Sequence, residues 1–479
     1  MSNQTPIHDD LDDIQLFAKQ KKIYPKSVDG FYRQLKWIIM SVCLVIYYLA
    51  PFLRWNREGM VPDQAILIDL PARRLYFFMI EIWPQEVYYL VGILVLAAFG
   101  LFFVTALLGR VWCGYFCFQT VWTDLFILVE RIFQGDRVAR QRLDSAPWSF
   151  NKLWRKAATH ICWVLIGMCT AGAFVFYFND AFQLWNDIVN LSVSKTVLGF
   201  VAGLTFMTYL MAGFAREQVC TFMCPYSRFQ SGMLDVDSLV IAYDHKRGEP
   251  RGKVHKGESW DSRGHCVDCS ACVQVCPMGI DIRNGLQIEC IACGLCIDAC
   301  NNIMDKLNLP RGLVRYDSER NRIAREQGKP EEWHILRPRT IIYTLLLCVV
   351  GGIMLYGLLN RSTEELHVLH DRAPLFVQLS DGTIRNAYTI KILNKTAQIQ
   401  NFSIDVIGID EQKIEITNPL PVDASRISVE PDKVGKFRMF IESMPIDAVV
   451  SKDISILLKN NDTNEIVKVK SDFFFANQN

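Results

Sequence analysis

The 479-residue sequence has almost no net charge, because 51 Lys and Arg side chains are balanced by 50 Asp and Glu. It therefore lacks the broad electrostatic surface typical of nucleic-acid-binding proteins, and we exclude that class of partner. No C-x-x-C-H motif is present, which excludes a c-type haem site. Roughly the first 33 residues contain no apolar run, so we expect no signal peptide. Cysteine is missing from residues 349–479, although 16 cysteines lie between Cys43 and Cys348.

Five stretches are apolar for about 20 residues, which is long enough for a helix to cross a bilayer. They are residues 37–53, 88–108, 158–178, 195–215 and 340–359. The alternative is a set of buried core helices in a soluble protein, but that does not account for so many long runs with so few charges. The sequence therefore predicts a multi-pass α-helical membrane protein with about five spans.

Lys and Arg are distributed unevenly among the segments between these spans. Segments 1–36, 109–157 and 216–339 carry 6, 8 and 18 of them, whereas segments 54–87 and 179–194 carry 4 and none. Segments rich in Lys and Arg stay on the cytoplasmic side of a membrane. We therefore expect a cell inner-membrane protein whose N-terminus is cytoplasmic and whose tail after the fifth span is periplasmic.

The tail, residues 360–479, alternates apolar and polar residues in stretches such as 388–393, 402–407 and 436–441. Turn residues separate these stretches at short intervals, a pattern typical of a β-sandwich. We predict a periplasmic immunoglobulin-like domain without a disulfide, with a docking or scaffolding role.

The strongest signal is a doubled cysteine pattern between residues 266 and 300. Each half reads C-x2-C-x2-C-x3-C, and in ferredoxins with two 4Fe–4S clusters the fourth cysteine of each half binds the other cluster. The predicted ligands of the first cluster are Cys266, Cys269, Cys272 and Cys300. Those of the second are Cys290, Cys293, Cys296 and Cys276.

A pair of zinc ribbons is the alternative, but zinc sites use two C-x2-C pairs rather than triplets with a trailing cysteine. Pro277 follows the first half of the pattern, whereas Asn301 stands where a second proline would follow Cys300. Proline is not a ligand, so this change concerns the loop. We predict a cytoplasmic ferredoxin-like α+β domain over residues 226–339 that relays single electrons.

A second cysteine pattern follows the second and fourth spans. Cys113 to Cys220 and Cys117 to Cys224 are both separations of 107 residues. We interpret residues 37–225 as two related halves of a four-helix membrane region, with both pairs at the cytoplasmic boundary. Residues i and i+4 share a helix face, so each pair can present two sulfurs together. Thiolate ligands favour Cu(I), zinc or iron–sulfur sites over hard cations.

Inert, buried cysteines in apolar helices are the alternative for such pairs. That account fits the four cysteines that lie singly within spans, namely Cys43, Cys162, Cys169 and Cys348. Met223 and His160 are further candidate ligands, although packing is the more common role of a single methionine. Arg110 and Arg216 beside the pairs either lower the thiol pKa values or mark the membrane boundary.

These features resemble the cytochrome c oxidase accessory proteins called CcoG, FixG or RdxA. The resemblance covers nearly the whole chain and rests on residues 109–113, 119–125 and 220–230, the doubled ferredoxin pattern, and the β tail from about residue 371. The family pattern has a proline after each membrane cysteine pair, and Phe118 replaces the first of them.

The resemblance implies a role in building a C-type haem–copper oxidase by reducing Cu(II) to Cu(I). Copper would lie at Cys113, Cys117, Cys220 and Cys224, as both catalytic and metal-binding residues of a cupric reductase. These cysteines meet either within one chain or across a homodimer. The implied partners are a cytoplasmic electron donor, oxidase subunits and copper-delivery proteins such as a copper-exporting ATPase.

Two other functions stay open. One is a polyferredoxin-type carrier that passes electrons to a quinone or a partner protein without copper turnover, and the other is an assembly scaffold with structural clusters. For every function the predicted order of parts is the same. It comprises the N-terminal segment 1–36, the membrane region 37–225, the ferredoxin-type domain 226–339, the fifth span 340–359 and the periplasmic domain 360–479.

Overall fold

The computed structural model describes residues 22–57, 61–253, 260, 263–361, 364–396, 398–409, 412–418, 420–431, 433–445 and 450–475. The predicted N-terminal segment lies outside the described residues as far as residue 21. Two compact units can be distinguished. The first holds most of the chain up to Gly351, and the second contains the chain from Gly352 together with the short pieces Arg54–Ala65 and Phe77–Ile80.

Helices dominate the first unit. Its longer helices are α1 (Phe31–Leu49), α2 (Val87–Leu108), α4 (Phe118–Gln134), α6 (Phe150–Phe176) and α8 (Lys195–Leu210), and α14 (Pro338–Leu359) leads out of it. The shorter ones are α3 (Val111–Tyr115), α5 (Arg137–Ser145), α7 (Ala181–Val189), α9 (Pro225–Met233), α10 (His245–Gly248), α11 (Ala271–Val275), α12 (Leu295–Lys306) and α13 (Glu319–Glu326). Two π-helical turns, Met211–Ala215 and Val219–Met223, follow α8.

Within the described residues, six helical stretches are long and apolar enough to cross a membrane. Five of them, Phe31–Phe52, Pro84–Leu108, Phe150–Phe176, Lys195–Ala215 and Pro338–Leu359, are the stretches that the sequence predicts. The first and third begin earlier than predicted, because the charged residues at their starts have partners. Lys36 lies 3.6 Å from Asp124, and Lys156 forms an ion pair with Asp144 at 2.5 Å.

The sixth stretch, Val111–Gln134, combines α3 and α4 and escapes the sequence analysis. Its apolar pattern is interrupted by Asp124 and Glu130, both of which are buried. Arg33 binds Asp124 at 2.8 Å, and Glu130 is held by Arg140 at 2.8 Å and Arg216 at 2.7 Å. Buried charges are tolerated only when they are paired, and two of these partners, Arg33 and Arg216, come from distant parts of the chain.

Both ends of the α3–α4 stretch lie at one end of the helix bundle, which we call the cysteine-rich end because it contacts residues 226–339. At the start, the backbone N–H of Leu239 donates to the carbonyl of Leu107 at 3.4 Å. At the other end, Arg131 donates to the carbonyl of Lys26 at 3.2 Å, and the N–H of Lys26 donates to the carbonyl of Gln274 at 2.8 Å. The α3–α4 stretch therefore leaves and returns to the same end.

Residues 226–339 form a small α+β domain around the cysteine-rich loops. Strands β4 (Val240–Tyr243) and β5 (Val314–Asp317) pair antiparallel, and they pack with α11 and α12 around the cysteines. The start of α1 is attached to this domain, because Asp298 on α12 accepts the backbone N–H of Arg33 at 2.8 Å. The N-terminus of α1 and the domain therefore lie at the same end of the bundle.

Between α1 and α2 the chain forms three short strands, β1 (Ile66–Asp69), β2 (Arg74–Phe77) and β3 (Ile80–Ile82), in one sheet. The N–H of Ile68 donates to the carbonyl of Tyr177 after α6, and Phe52 after α1 packs against Phe176 with ring centroids 5.1 Å apart. These contacts define the opposite, far end of the bundle. They confirm that α1 and α6 run in the same direction.

The second unit is a β-sandwich, as predicted. One sheet has the order β11-β10-β13-β8-β6, with β7 also paired to β8, and the other has the order β12-β9-β14-β15. Phe402, Tyr388, Met439 and Ile456 are fully buried between the sheets because inward and outward side chains alternate along the strands. The strands are β6 (Glu364–His370), β7 (Val377–Gln378), β8 (Ile384–Asn394), β9 (Gln400–Ile407), β10 (Lys413–Asn418), β11 (Leu420–Val422), β12 (Ile427–Val429), β13 (Lys433–Ser443), β14 (Ser451–Asn460) and β15 (Ile466–Phe474).

Candidate iron–sulfur and thiol sites

The doubled cysteine pattern encloses two cavities. The first is lined by Cys266, Cys269, Cys272 and Cys300, and Arg283 is the charged residue beside it. The loop from Cys266 to Cys272 wraps one side, and α12 presents Cys300 from the other. The fourth cysteine of the second half of the pattern therefore closes the cavity of the first half.

The second cavity has the reciprocal arrangement. Cys290, Cys293 and Cys296 line it together with Cys276, from the first half of the pattern, and with Cys272 at its edge. The left-handed backbone of Gly294 allows the close turn between these cysteines, because a Cβ there would lie 2.7 Å from the Tyr32 ring. The structure thus gathers the cysteines in the two sets of four that the sequence predicts.

Burial governs the protonation of these thiols. It raises the pKa of Cys272 and Cys290 to about 11 and that of Cys276 and Cys300 to about 12. The thiolate is the form that binds metal, and a metal can replace the thiol proton outright. In the part of the chain that the structure describes, no three His, Cys, Asp or Glu side chains are arranged to hold a single metal ion. Four cysteines around a cavity fit a multi-iron cluster instead.

The membrane cysteine pairs lie on two stretches with the same unusual backbone. Gly109 (φ 60, ψ −129) and Arg216 (φ 38, ψ −111) stand four residues before Cys113 and Cys220 respectively. The N–H of Cys117 donates to the carbonyl of Trp112, and the N–H of Cys224 donates to that of Val219, at 3.0 and 2.8 Å. Two halves related by 107 residues thus repeat in conformation as well as in sequence.

The four thiols of these pairs lie close enough within one chain to influence one another electrostatically, although among the described residues no three of them are arranged to hold a single metal ion. Burial first, and then the neighbouring thiols of Cys117, Cys113 and Cys224, raise the pKa of Cys220 to about 12. Cys113 likewise has Cys117 and Cys224 as electrostatic neighbours. One chain therefore supplies all four cysteines of this neighbourhood.

The helix ends at the pairs are preserved despite the substitution at position 118. Cys117 and Cys224 both have extended backbones, with φ −61 and ψ 126 in one and φ −80 and ψ 111 in the other. Phe118 begins α4 as Pro225 begins α9. Asn301 replaces the proline expected after Cys300. It accepts the backbone N–H of Gly312 at 3.0 Å and so holds the neighbouring loop.

The thiol pairs adjoin the second cysteine cavity. Cys113 packs in one buried cluster with Ile291, Cys293 and Leu295. Tyr115 on α3 donates to the carbonyl of Cys293 at 3.1 Å. Gly114 permits this approach, because a Cβ at that position would lie 2.7 Å from the carbonyl of Ile291.

Arg110 and Gln230 join the two sites, and the sequence analysis misses this network. Gln230 accepts from Arg110 at 2.9 Å and from the Cys113 thiol at 3.3 Å. Arg110 also donates to Ser227 at 2.7 Å and to the carbonyl of Ile288, two residues before Cys290. Arg110 is only 5% exposed, so it is a buried structural cation and not a marker of the membrane boundary. The position of Arg110 at the end of a predicted span is the one feature of the sequence that points to this role.

Burial is the main influence on the pKa values of Cys220 and Cys290, and the Arg110 cation acts in the opposite direction on both. His160, by contrast, lies 3.0 Å from the Tyr209 hydroxyl, among aromatic rings. His160 is therefore not part of the thiol site.

Of the single cysteines, Cys169 and Cys348 are exposed on their helices, so the expectation that such cysteines are buried is wrong for these two.

Three protein-family models match the chain. A 4Fe-4S dicluster domain matches residues 215–319, a 4Fe-4S binding domain matches residues 90–134, and the IG-like fold at the C-terminal of FixG matches residues 354–476. A crystal structure of a FixG-related protein from Vibrio parahaemolyticus is 25% identical, covering 24% of this chain and 97% of that chain with a TM-score of 0.20.

Full-length relatives are more similar. The nitrogen fixation protein FixG of Rhizobium meliloti is 46% identical over 89% of this chain and 87% of its own length. RdxB of Cereibacter sphaeroides is 48% identical over 83% of this chain and 84% of its own, and RdxA of the same organism is 43% identical over 89% and 90%. This identity spans the helices, the cysteine patterns and the sandwich, and the chain belongs to the FixG/RdxA family of 4Fe–4S electron-transfer proteins.

Proposed function

We propose that this chain passes single electrons to a copper site at its paired membrane cysteines and reduces Cu(II) to Cu(I) for the assembly of a C-type haem–copper oxidase. Cys266, Cys269, Cys272 and Cys300 would hold one 4Fe–4S cluster, because they line one cavity. Cys276, Cys290, Cys293 and Cys296 would hold the other. When bound, the clusters supply electrons one at a time, and one electron converts Cu(II) to Cu(I).

The packing of Cys113 and Cys293 in one buried cluster carries this proposal. It brings a ligand of the second cavity against the four-thiol site through packed protein and the Tyr115 hydrogen bond. Thiolate favours Cu(I), whereas Cu(II) prefers nitrogen and oxygen ligands. Thiolate ligands from these pairs would therefore raise the copper potential and favour reduction.

The test uses the purified full-length protein, reduced anaerobically with dithionite, freed of excess reductant and mixed with Cu(II). We expect Cu(I), detected with a Cu(I)-specific chelator, in proportion to the oxidation of the iron–sulfur absorbance. The double variant C220S/C224S should lose this activity. The variant C169S is the matched control, because it removes an exposed thiol from a span without touching the pairs. Clusters that are oxidised by a quinone but not by Cu(II) would reject the proposal in favour of the polyferredoxin-type carrier.

A second candidate for the paired cysteines is an iron–sulfur centre. The 4Fe-4S binding model matches residues 90–134, where the only cysteines are Cys113 and Cys117. Iron analysis separates the two candidates. Two clusters require about eight iron atoms per chain, and a further four-iron centre would raise this to about twelve. A loss of about four irons in C220S/C224S would establish the second candidate.

The proposed topology has five crossings and an inner-membrane location, with the N-terminus and the ferredoxin-like domain in the cytoplasm. The high Lys and Arg content of residues 216–339 supports that side. The return of α3–α4 to the cysteine-rich end supports five crossings rather than six, because a stretch with both ends at one end of the bundle does not cross. The sandwich would then be periplasmic.

We further propose a cytoplasmic electron donor, and oxidase subunits or copper-delivery proteins such as a copper-exporting ATPase as partners. The resemblance to the oxidase accessory proteins supports these partners, whereas the sandwich by itself identifies none, because a fold alone does not imply a function. The scaffold alternative predicts that a strain carrying C276S still assembles its oxidase. Loss of oxidase activity in that strain, with normal amounts of the variant protein in the membrane, would reject the scaffold.

A further inference from the structure

A large cavity lies on the membrane side of the paired cysteines. Its volume is about 700 Å3, within the range of small-ligand sites. Helices α1, α4, α6 and α8 and both π-helical turns contribute to its walls. Cys224, one of the four converging thiols, forms part of its lining, so the cavity and the thiol site are continuous.

The side-chain hydrogen-bond donors around this cavity are already used. Five lining residues carry N–H or O–H groups, and each donates within the protein. Tyr47 donates to the carbonyl of Thr170 at 2.8 Å, Trp122 to the Thr170 hydroxyl at 2.6 Å, Thr170 to Ile166 at 2.8 Å, Thr208 to Leu204 at 2.9 Å and Gln119 to Met211 at 2.9 Å. A quinone needs donors for its two carbonyl oxygens, so this lining does not suit a quinone head group.

The sulfur atoms of the lining residues remain as candidate ligands for a metal ion. Met207, Met211, Met223 and Cys224 all line the cavity. Met207 and Met211 are one helical turn apart and share a face of the helix. Met207 is 49% exposed and Met223 is 56% exposed, so neither side chain is packed into a protein core. We refer to these four residues as the sulfur set.

We propose that the sulfur set binds Cu(I) and receives it from the four-thiol site. Thioether and thiolate ligands select soft Cu(I) over hard cations, and the unbranched methionine side chain can adjust to reach a common ion. A lone cation in an apolar cavity is costly to bury. One thiolate from Cys224 cancels the single positive charge of Cu(I), and the thioethers add ligands without adding charge. The transfer exchanges ligands only, with no electron moved.

This inference rests on the proposed reduction of copper at the thiols and adds a destination for the product. Cys224 belongs to both sites, so an ion can pass from one to the other without leaving sulfur. The lining residue Tyr47 lies toward the far end of the bundle. Its backbone carbonyl accepts a hydrogen bond from the Tyr177 hydroxyl, and Tyr177 follows α6 at that end. Cu(I) held here would lie farther along α1 from the cysteine-rich end.

The experiment measures retention of Ag(I), a soft monovalent analogue of Cu(I), by the anaerobic full-length protein with its clusters oxidised, so that no electron reaches the ion, against a competing thioether chelator. M207L/M211L is the test variant, because Met-to-Leu changes conserve volume and preserve the fold. M168L is the matched control, since Met168 is 48% exposed on α6 and does not line the cavity. Loss of even an outer partner weakens metal binding by about 10–100-fold, so we expect retention to fall by at least about tenfold in M207L/M211L and to stay unchanged in M168L.

Reduction of Cu(II) is measured on separate portions of the same protein preparations. The proposal requires M207L/M211L to reduce Cu(II) at the rate of the parent protein while retaining less Ag(I) and less Cu(I). Equal retention by M207L/M211L and the parent overturns the sulfur set, whatever the reduction rate. Failure of the parent protein to reduce Cu(II), with Ag(I) still lost in M207L/M211L, instead overturns the proposed function and keeps the soft-metal site.

Discussion

Gly109 is the residue whose backbone most constrains the first cysteine pair. It has a positive φ of 60, and a Cβ there would lie 2.0 Å from the carbonyl oxygen of Leu239. Its counterpart Arg216 has the same strained conformation without being glycine, at a φ of 38. The ion pair between Arg216 and Glu130, at 2.7 Å, helps to hold that strain in place.

The substitution G109A should therefore destabilise the protein. Backbone strain of this kind costs about 1–3 kcal/mol, and the clash with Leu239 adds to it. We expect a lower midpoint of thermal unfolding in detergent and a weaker reaction of Cu(II) with the membrane pairs. G100A is the control on the same helix, because nothing lies within 4 Å of a Cβ at Gly100. Equal midpoints for G109A and the parent would contradict this account of the turn.

At the scale of elements, α4 is held by charge as much as by apolar packing. Asp124 lies between Arg33 at 2.8 Å and Lys36 at 3.6 Å, both from α1 and both buried. The substitution D124N leaves two buried cations without their counter-charge. Breaking a buried pair in this way costs about 3–5 kcal/mol, so we expect poor accumulation of the variant in membranes and a much lower unfolding midpoint.

The control for this prediction is D305N. Asp305 pairs with Arg311 at 2.8 Å on the surface, where the two side chains are 41% and 70% exposed. Exposed ion pairs contribute little to stability, and D305N should unfold like the parent. If D124N also matches the parent, the α1–α4 charge pair has no structural role.

A cluster around Asp144 ties the first described residues to α5 and α6. Burial acts to raise the pKa of Asp144, but hydrogen bonds from Lys156, Lys22 and Tyr24 outweigh burial and hold this pKa below its ordinary value. A carboxyl whose folded pKa is depressed stabilises the fold above its unfolded pKa, about 3.9, and loses that contribution as the pH falls toward the folded value.

The stability of the parent protein should therefore include an Asp144 contribution that is constant from pH 7 to about 5 and declines below about pH 4. D144N removes this contribution at every pH. Unfolding midpoints of the two proteins, measured across this range, should differ at neutral pH and converge in acid. A difference that grows as the pH falls would have the wrong sign and would exclude the depressed pKa.

At the scale of the whole molecule, the direction of each helix decides on which sides the two soluble domains lie. With a cytoplasmic N-terminus, five crossings would place the ferredoxin-like domain in the cytoplasm and the sandwich in the periplasm. Six crossings would exchange these two sides, because the single helix α14 lies between the two domains in either case. A periplasm-active phosphatase fused after residue 479 should be active, and one fused after Gly248 should be inactive. A cytoplasm-active fluorescent reporter should give the reverse pattern. Activity of the phosphatase after Gly248 with none after residue 479 is the pattern of six crossings and would contradict the five-crossing topology.

Much of this arrangement could be predicted from local patterns. The C-x2-C-x2-C-x3-C repeats predict two sets of four cysteines, and the structure gathers those sets around two cavities. The five apolar stretches and the alternating strands of the sandwich are also confirmed. These features succeed because spacing and periodicity are properties of neighbouring residues, and the chain geometry translates them directly into helices, strands and loops.

The features that escape prediction depend on residues far apart in the chain. Asp124 makes α4 look polar until Arg33 and Lys36 are seen beside it. Arg110 looks like a membrane-boundary residue until its bonds to Gln230 and Ile288 are seen. The Asp124 charge is neutralised by cations, and the Arg110 charge is stabilised by uncharged hydrogen-bond acceptors, that only the folded chain supplies.

The sequence by itself determined the family, the kinds of domain and the eight cysteines of the ferredoxin pattern, because a ligand pattern is set by spacing along the chain. Tertiary structure alone decided that four further thiols meet within one chain, that they adjoin the second cysteine cavity, and that a methionine-lined space continues from them. The first two of these relations join residues more than 100 positions apart, such as Cys113 and Cys293, and only packing of the helices against the α+β domain places them in one buried cluster.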